Sequence, residues 1–380
     1  MVEQDIGVAT RRTAVEALVR IERDDAFANL ALGPILERSK LDQRDRRLVT
    51  ELVYGTIRRW RACGYLVDRF LSSRPPVEAR AALHLGAYQL QFTEIADHAA
   101  VSTTVSGTPQ RYRGLVNAVL RKVAATPVVW PDVATELSFP DWIVDMMINE
   151  HGEVDGLAAL GSMNEPPDVN MREDGYTQDL ASQWVGELVD AQRGDVIADV
   201  CAAPGGKATA MAASGARVVA LDKRMTRAAT MARNVERLGA DTMTIAVGDG
   251  TVPPLRAGMF DKVLVDAPCS GLGVLRRRPD ARWRARPEGI LELALIQRDL
   301  LDAAVDLVKP GGTLIYSVCT TTRAETIEQF EGVAERHPRL RPISIDDGRW
   351  RPHGDGVLLL PQDADTDGMS MAMWQIPSTS

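Results

Sequence analysis

Three cysteines and a group of acids stand where one sheet could present them together. Cys201, Cys269 and Cys319, and the carboxylates Asp199, Asp222, Asp249 and Asp266, each close or follow a short apolar run, and Lys207 comes directly after a Gly-Gly pair. Such runs read as buried strands. Ligands of an open parallel sheet bind beyond the carboxyl ends of its strands. A thiol near a lysine and a helix N-terminus ionises readily, and the thiolate is a nucleophile. Carboxylates on the same rim can accept from ribose hydroxyls or an amine, or face a cation. A single Asp after a strand is more often a turn or cap residue, but five strand ends offering acids, glycines or thiols to one rim make a candidate site. Cys63 reads as a small buried hydrophobe. The spacing of the four cysteines suggests neither a zinc site nor a disulfide framework, so no metal is expected.

The elements that position these residues centre on the stretch VIADVCAAPGGKATAMAASGARVVALD, Val196 to Asp222. It reads as a strand (Val196 to Val200), a turn, a helix and a second strand (Arg217 to Leu221) ending in Asp222. A doubly wound fold places an acid there, on a ribose hydroxyl. The turn Cys201-Ala202-Ala203-Pro204-Gly205-Gly206-Lys207 is not the G-x-G-x-x-G fingerprint. Nor does Ser or Thr follow the lysine, as a magnesium-holding phosphate loop requires. Downstream, a helix over Met225 to Leu238 stops at Gly239 in the C′ position. Strands are expected at Thr244 to Val247, Lys262 to Val265 and Thr313 to Val318, with helices at Glu288 to Val308 and Arg323 to Arg336. Strand and helix in turn predict a parallel sheet covered on both faces. Val357 to Leu360 and Met369 to Ile376 are expected to close its edge as antiparallel strands, and Asp363, Asp365 and Asp367 form a small acidic loop.

A chain of 380 residues suggests two or three domains, and 45% apolar with 25% charged residues is ordinary for a soluble protein. No apolar run approaches membrane-spanning length and Met1 to Arg12 carries no signal pattern, so the expectation is a cytoplasmic protein. Residues 1–126 repeat apolar positions at helical spacing, for example Leu48, Leu52, Ile57 and Trp60, or Leu115, Val119 and Val123, which predicts an all-α bundle. Proline-rich residues 127–177 read as a connection holding one helix near Trp142 to Glu150 and a strand at Asp168 to Arg172. Residues 178–380 hold the α/β unit. The net charge of −8 argues against coating nucleic acid by charge alone. Its distribution is uneven: through Ala125 there are 19 Lys and Arg against 14 Asp and Glu, which leaves −13 for the remainder. Basic residues on the helices, among them Arg113, Arg121 and Lys122, are either phosphate contacts or a solvated face. After Cys269, the arginines Arg276, Arg277, Arg278, Arg282, Arg284 and Arg286 surround Trp283, a composition suited to phosphate contact and base stacking.

The complete turn string resembles the cofactor motif of the RNA (cytosine-5)-methyltransferases. That resemblance implies S-adenosylmethionine as cofactor, held by Asp199, the loop Cys201 to Lys207, Asp222, Asp249 and Asp266. Two further stretches carry it: DAPCSG (Asp266 to Gly271) and YSVCTTTRAE (Tyr316 to Glu325). On the residues alone either Cys269 or Cys319 could be the nucleophile. The resemblance implies that Cys319 attacks carbon 6 of cytosine, that Cys269 assists release of the product, and that Asp266 binds the cytosine edge near Lys207. The family pattern T-C-S followed by E-N is replaced here by Val318-Cys319-Thr320 and Glu325-Thr326. Arg113 to Val123, RGLVNAVLRKV, resembles the NusB-like RNA-binding domain. The expected protein is therefore a NusB-like helical bundle followed by a doubly wound, Rossmann-like methyltransferase domain. Among family branches, this fusion resembles the bacterial small-subunit (16S) ribosomal RNA enzymes. The target base must leave any stack to reach Cys319, so a flipped or loop cytidine is expected, in RNA that is free or in an assembling subunit, with the protein a monomer. Two alternatives are the same reaction on another RNA such as transfer RNA, and a non-catalytic RNA-binding or ribosome-assembly factor.

Overall fold

A computed structural model of the chain describes residues 2–378. These fall into two compact units, one taking in the chain through Met146 together with Arg278–Arg284, the other Met147–Arg277 and the chain from Ala285 onward.

The first unit is helical. Its long elements are α1 (Val2–Arg23), α2 (Ala28–Arg38), α3 (Gln43–Arg58), α4 (Trp60–Asp68), α5 (Val77–Phe92), α6 (Asp97–Gly107) and α7 (Arg113–Ala125), followed by the short α8 (Val133–Leu137). The Asp42 carboxylate caps α3 by accepting from the Asp45 amide at 2.9 Å, and the apolar stripe Val49, Leu52, Val53 and Ile57 turns inward. Helix α5 is buried over most of its length because α1, α3, α4, α6 and α7 all pack on it. Helix α9 (Asp141–His151) runs across the boundary between the units, and α10 (Glu153–Ser162) and α11 (Leu180–Leu188) belong to the second. Helices α8 and α10 lie in the stretch 127–177, where only the equivalent of α9 is expected.

The second unit is built on a nine-stranded sheet. Its strands are β1 (Val196–Asp199), β2 (Arg217–Asp222), β3 (Met243–Val247), β4 (Phe260–Asp266), β5 (Val308–Val318), β6 (Arg341–Pro342), β7 (Arg351–His353), β8 (Gly356–Leu359) and β9 (Met369–Gln375). They lie in the order β3-β2-β1-β4-β5-β9-β8-β7, with β6 also paired to β9. The first five are mutually parallel and β9 joins β5 antiparallel. Helices α12 (Gly206–Ala213), α13 (Met225–Leu238), α14 (Pro287–Leu307) and α15 (Ile327–Arg336) complete the alternation.

Successive residues of each strand serve opposite cores, as a pleated strand with both faces covered requires. Ile197, Leu264 and Ile315 pack under α11, α12 and α13. Ala198, Val263, Val265, Leu314 and Tyr316 pack under α14 and α15. Helix α13 ends at Gly239 with φ 63°, the left-handed stop its sequence predicts. Two expected elements differ. Asp168 to Arg172 forms no strand, only an isolated bridge between Met171 and Thr177. Arg323 to Arg336 is not one helix: a 3-10 turn over Arg323–Glu325 breaks at Thr326 before α15 begins. Among the described residues, no helix is long and apolar enough to cross a membrane, and no group of three or more His, Cys, Asp or Glu could hold a metal ion.

Candidate active site

The turn after β1 leaves backbone where side chains would obstruct. Gly205 has φ 101°, and a Cβ on Gly206 would stand 3.0 Å from Tyr176 Cε1 and 3.2 Å from Gln178 Nε2. The backbone of Gly205 favours glycine, and a Cβ on Gly206 would make both side chains give way by a few tenths of an ångström. The turn is held from outside: Asn234 donates to the Pro204 carbonyl at 2.9 Å, Arg227 donates to that of Ala203 at 2.5 Å, and Arg172 donates to that of Gly206. Arg172 also donates to Thr209 and Gln178 and lies over the Tyr176 ring. Arg172 and Tyr176 carry no sequence signal, since their neighbourhood reads as connection. Gln178 sits in a stretch that opens α11.

The acids divide by environment. Asp199, 1% exposed, accepts from the Cys201 amide at 3.3 Å. Burial, reinforced by the negative charge of Asp266, pushes its carboxyl up to about 8. Cys201 is pushed upward by burial and the same acids, which makes it a packing thiol rather than a reactive one. Asp222 is buried, accepts from the Arg224 amide at 2.9 Å and lies 3.6 Å from Arg227. Asp249 is more open. It accepts from Lys223 at 2.6 Å and from the Thr251 amide and hydroxyl at 3.0 and 2.8 Å, which hold it down at about 2. This set fits an S-adenosyl group: a glycine cradle, acids for a ribose diol and an adenine amine, and a buried carboxyl for a cation. Asp199, the Cys201–Lys207 backbone, Asp222 and Asp249 would hold it.

At the end of β4, Asp266 accepts from Lys207 Nζ at 2.8 Å and from Ser317 Oγ at 2.7 Å. Burial, the largest single influence, would lower the Lys207 ammonium, but the charge and hydrogen bond of Asp266 together with the charges of Cys319 and Asp199 raise it on balance, so Lys207 remains a cation. The sulfurs of Cys269 and Cys319 lie 3.3 Å apart, and both residues are partly exposed. The contact with Cys269 draws the Cys319 thiol downward from its ordinary value despite burial and Asp266, with Lys207 contributing in the same direction. Cys269 moves the opposite way, raised by its contact with Cys319 and by burial.

Glu325 clamps the two cysteine loops together. Its fully buried carboxylate accepts from the Ser270 amide at 2.7 Å, Ser270 Oγ at 2.5 Å, Thr322 Oγ1 at 2.9 Å and Gln297 Nε2 at 3.0 Å. Ser270 also bonds Thr320 Oγ1 at 2.9 Å. The departures from the family pattern are thereby accommodated. Thr320 supplies a hydroxyl where the family has serine, and Thr326 donates to the Thr322 carbonyl and bonds His353 Nε2 at 3.0 Å. Behind the loop, Gly273 donates to the Cys319 carbonyl and accepts from Gly368.

The arginine-rich stretch is corrected by the structure. Arg282 is 0% exposed, donates to the carbonyls of Arg58 and Ser138 at 3.1 and 3.2 Å and lies 3.8 Å over the Phe139 ring. Trp283 donates to the Ile57 carbonyl at 2.9 Å, and Arg284 bonds Ala26 and pairs with Asp25. Ile57 and Arg58 end α3, where carbonyls lack helical partners, so these side chains finish a helix instead of facing RNA. Arg276 is buried against Asp365 and the Thr366 and Pro166 carbonyls. Arg277 joins Asp179 at 2.6 Å and Asp367 at 3.0 Å. Asp367 is consequently no member of an acidic surface loop: it is 5% exposed, and burial beside Asp179 pushes it up to about 7. Arg278, Arg121 and Lys122 stay exposed, as does Arg113, whose guanidinium donates to the Thr108 and Ser106 carbonyls.

A doubly wound sheet with a glycine turn after its first strand, acids at its strand ends and a pair of thiols beside them is the frame of an S-adenosylmethionine-dependent methyltransferase. The chain matches the family described as 16S rRNA methyltransferase RsmB/F over residues 187–375 and the NusB family over residues 8–125. It is 36% identical to ribosomal RNA small subunit methyltransferase B of Thermus thermophilus, covering 88% of this chain and 89% of that protein. It is 30% identical to the probable ribosomal RNA small subunit methyltransferase B of Synechocystis sp., covering 96% and 99%. A crystal structure described as PH0851 shares the fold with a TM-score of 0.80 at 20% identity, covering 97% of this chain and 98% of that one. The chain belongs to the ribosomal RNA small subunit methyltransferase B family and is an S-adenosylmethionine-dependent RNA methyltransferase.

Proposed function

We propose that the chain methylates carbon 5 of one cytidine in 16S ribosomal RNA through a covalent bond between Cys319 and the base. The observation that carries this is the thiol pair, with sulfurs 3.3 Å apart and Cys319 the member drawn downward, in part by the Lys207 charge. S-adenosylmethionine, when bound, supplies an electrophilic methyl group. Carbon 5 of cytosine is a weak nucleophile. The Cys319 thiolate forms a bond to carbon 6, and the ring electrons shift to carbon 5, which then takes the methyl while the electron pair of the broken sulfur–methyl bond stays with the departing thioether. Loss of the carbon 5 proton to a base restores the double bond and expels the thiolate, and Cys269 stands within reach to assist that release. Asp266, fixed by Lys207 and Ser317, offers an acceptor to the cytosine amine. The cytosine must leave its stack to reach a partly buried thiol. Support for 16S RNA comes from the description of the matched family and the relatives' names; the RNA is read as free or in an assembling subunit, and the protein as acting as a monomer.

The test is transfer of tritiated methyl to unmodified 16S RNA, followed by mass mapping of the product. Label in 5-methylcytidine is expected with wild type and none with Cys319→Ala, while Cys269→Ala should hold a protein–RNA adduct on a denaturing gel. Label in another position of the base, or transfer persisting in Cys319→Ala, would overturn the reading. Label appearing only in transfer RNA would move the substrate and keep the chemistry.

A further inference from the structure

The two loops that carry the thiols are fastened to each other residue by residue. Ser270 and Thr320, each directly after its cysteine, are bonded at 2.9 Å. The Gly273 amide donates to the Cys319 carbonyl at 3.1 Å. A Cβ on Gly273 would collide with the Gly368 carbonyl oxygen and stand 2.9 Å from that of Cys319, so glycine is what lets these backbones approach so closely. Glu325 reaches across to the Ser270 amide and hydroxyl. Cys269 and Cys319, 50 positions apart in the chain, are thereby held with their sulfurs 3.3 Å apart. Bonded sulfurs lie about 2.05 Å apart, so an approach of about 1.25 Å would join them. Both are free thiols and partly exposed, so a small reagent can reach them. The Lys207 charge draws Cys319 toward the thiolate, the form that attacks.

We propose that Cys269 and Cys319 are also a modification site, at which hydrogen peroxide closes them to a disulfide that stops methyl transfer until a dithiol reopens it. In the first step the Cys319 sulfur attacks one peroxide oxygen. The O–O bond breaks, hydroxide leaves and takes up a proton to become water, and Cys319 carries a sulfenic acid. In the second step the Cys269 sulfur, giving up its proton, attacks the Cys319 sulfur, and the S–O bond breaks with loss of water. The thiol pair is oxidised by two electrons and the peroxide is reduced to two molecules of water. A resolving thiol already in contact captures the sulfenic acid before it reaches a sulfinic acid, which a dithiol does not reduce. Loops that Glu325 already ties together need no further staple, so what the bond changes is chemistry: it takes both thiols out of reaction. The effect on methylation rests on the reading of Cys319 as nucleophile, whereas the bond itself rests on the geometry of the pair.

The test exposes the full-length protein, without RNA, to hydrogen peroxide, blocks the remaining thiols and digests it without reductant. Wild type should lose two hydrogens in intact mass and yield one linked pair of peptides, those holding Cys269 and Cys319, while transfer of tritiated methyl to unmodified 16S RNA is lost. Dithiothreitol should return both the separate peptides and the untreated rate. In Cys269→Ala the same exposure should carry Cys319 to a sulfinic acid, two oxygens heavier, that dithiothreitol leaves in place. Oxidation of Cys319 to a sulfinic acid in wild type as fast as in Cys269→Ala overturns the proposal, as do linked peptides that hold Cys63 or Cys201 instead, or disulfides between chains. Should Cys269→Ala not fold, the wild-type peptide masses decide alone. A Cys269–Cys319 disulfide that leaves transfer at the untreated rate sinks the switch and the Cys319 reaction together. Untreated protein that transfers no methyl, with the disulfide still forming and reopening, sinks the proposed reaction and leaves the modification site.

Discussion

The chemistry rests on which residues hold protons. Cys319 is drawn downward from the ordinary thiol value by its contact with Cys269 and by the Lys207 charge, so its thiolate should survive to lower pH than that of a free cysteine. Lys207→Gln removes the nearby cation and, with it, the ion pair that fixes Asp266. Iodoacetamide modification of Cys319, followed by peptide mass across pH, should show its rising limb displaced to higher pH in this variant, with methyl transfer displaced likewise. An unmoved limb would mean that Lys207 does not ionise the thiol. Asp199 behaves in the opposite sense. Its folded value of about 8 lies above the ordinary 3.8, so between those values the unfolded chain binds fewer protons than the folded one. Its contribution to stability is complete below about 3.8 and is lost as pH rises toward about 8. Asp199→Asn keeps an acceptor for the Cys201 amide and removes the titration. Its melting temperature should exceed that of wild type by a few degrees near pH 8, with the gap closing toward pH 4, which calorimetry across that window would measure.

Among elements, the decisive feature is that two loops from different strand ends are fastened to each other. Glu325 reaches from the 3-10 turn after β5 to the Ser270 amide after β4, and Gln297 of α14 joins the same carboxylate. Glu325→Gln preserves shape but sets an amide against donors, so the loops should loosen. Turnover is expected to fall about 10²-fold, the cost of a reactive group displaced by about 1 Å, while S-adenosylmethionine affinity measured by calorimetry stays at wild type. Loss of both together would make Glu325 a general support of the fold. Much of this architecture is legible in the chain. Apolar runs of strand length that end in Asp, Cys or Gly announce β1, β2, β4, β5 and the rim they share, and Gly239 announces the end of α13. What is not legible is who answers whom. Nothing local in Glu325 says that its partners come from residues 270, 297 and 322, and Asp367 looks solvated until Asp179 and Arg277 are brought beside it. Residues 168–172 alternate like a strand, yet only Met171 pairs, while Arg172 turns to the glycine cradle.

For the whole molecule, the same blindness to partners explains the arginine-rich stretch. Clustered arginines around a tryptophan match the composition of an RNA contact, and sequence cannot distinguish a phosphate oxygen from a carbonyl at a helix end. Here Arg282 and Trp283 meet the last carbonyls of α3 while Asp280 accepts from the Ala28 amide at the start of α2 at 3.1 Å, so both helices borrow their caps from a segment 220 or more positions later. The helical unit is thus assembled from the two ends of a long chain excursion, and its stability depends on residues that interrupt the methyltransferase sequence. Arg282→Met removes the guanidinium from over Phe139 and takes its donor away from two buried carbonyls, a loss of about 1–3 kcal/mol for a buried group that loses its partner. The variant should therefore melt several degrees below wild type, while the slope of RNA affinity against salt, which counts phosphate contacts, stays unchanged. Arg121→Ala, at an exposed position of α7, should do the reverse if that face meets RNA: an unchanged melt and a slope reduced by about one contact. A salt slope that falls in Arg282→Met with no loss of stability would return the buried arginine to the RNA surface and with it the reading that composition alone suggests.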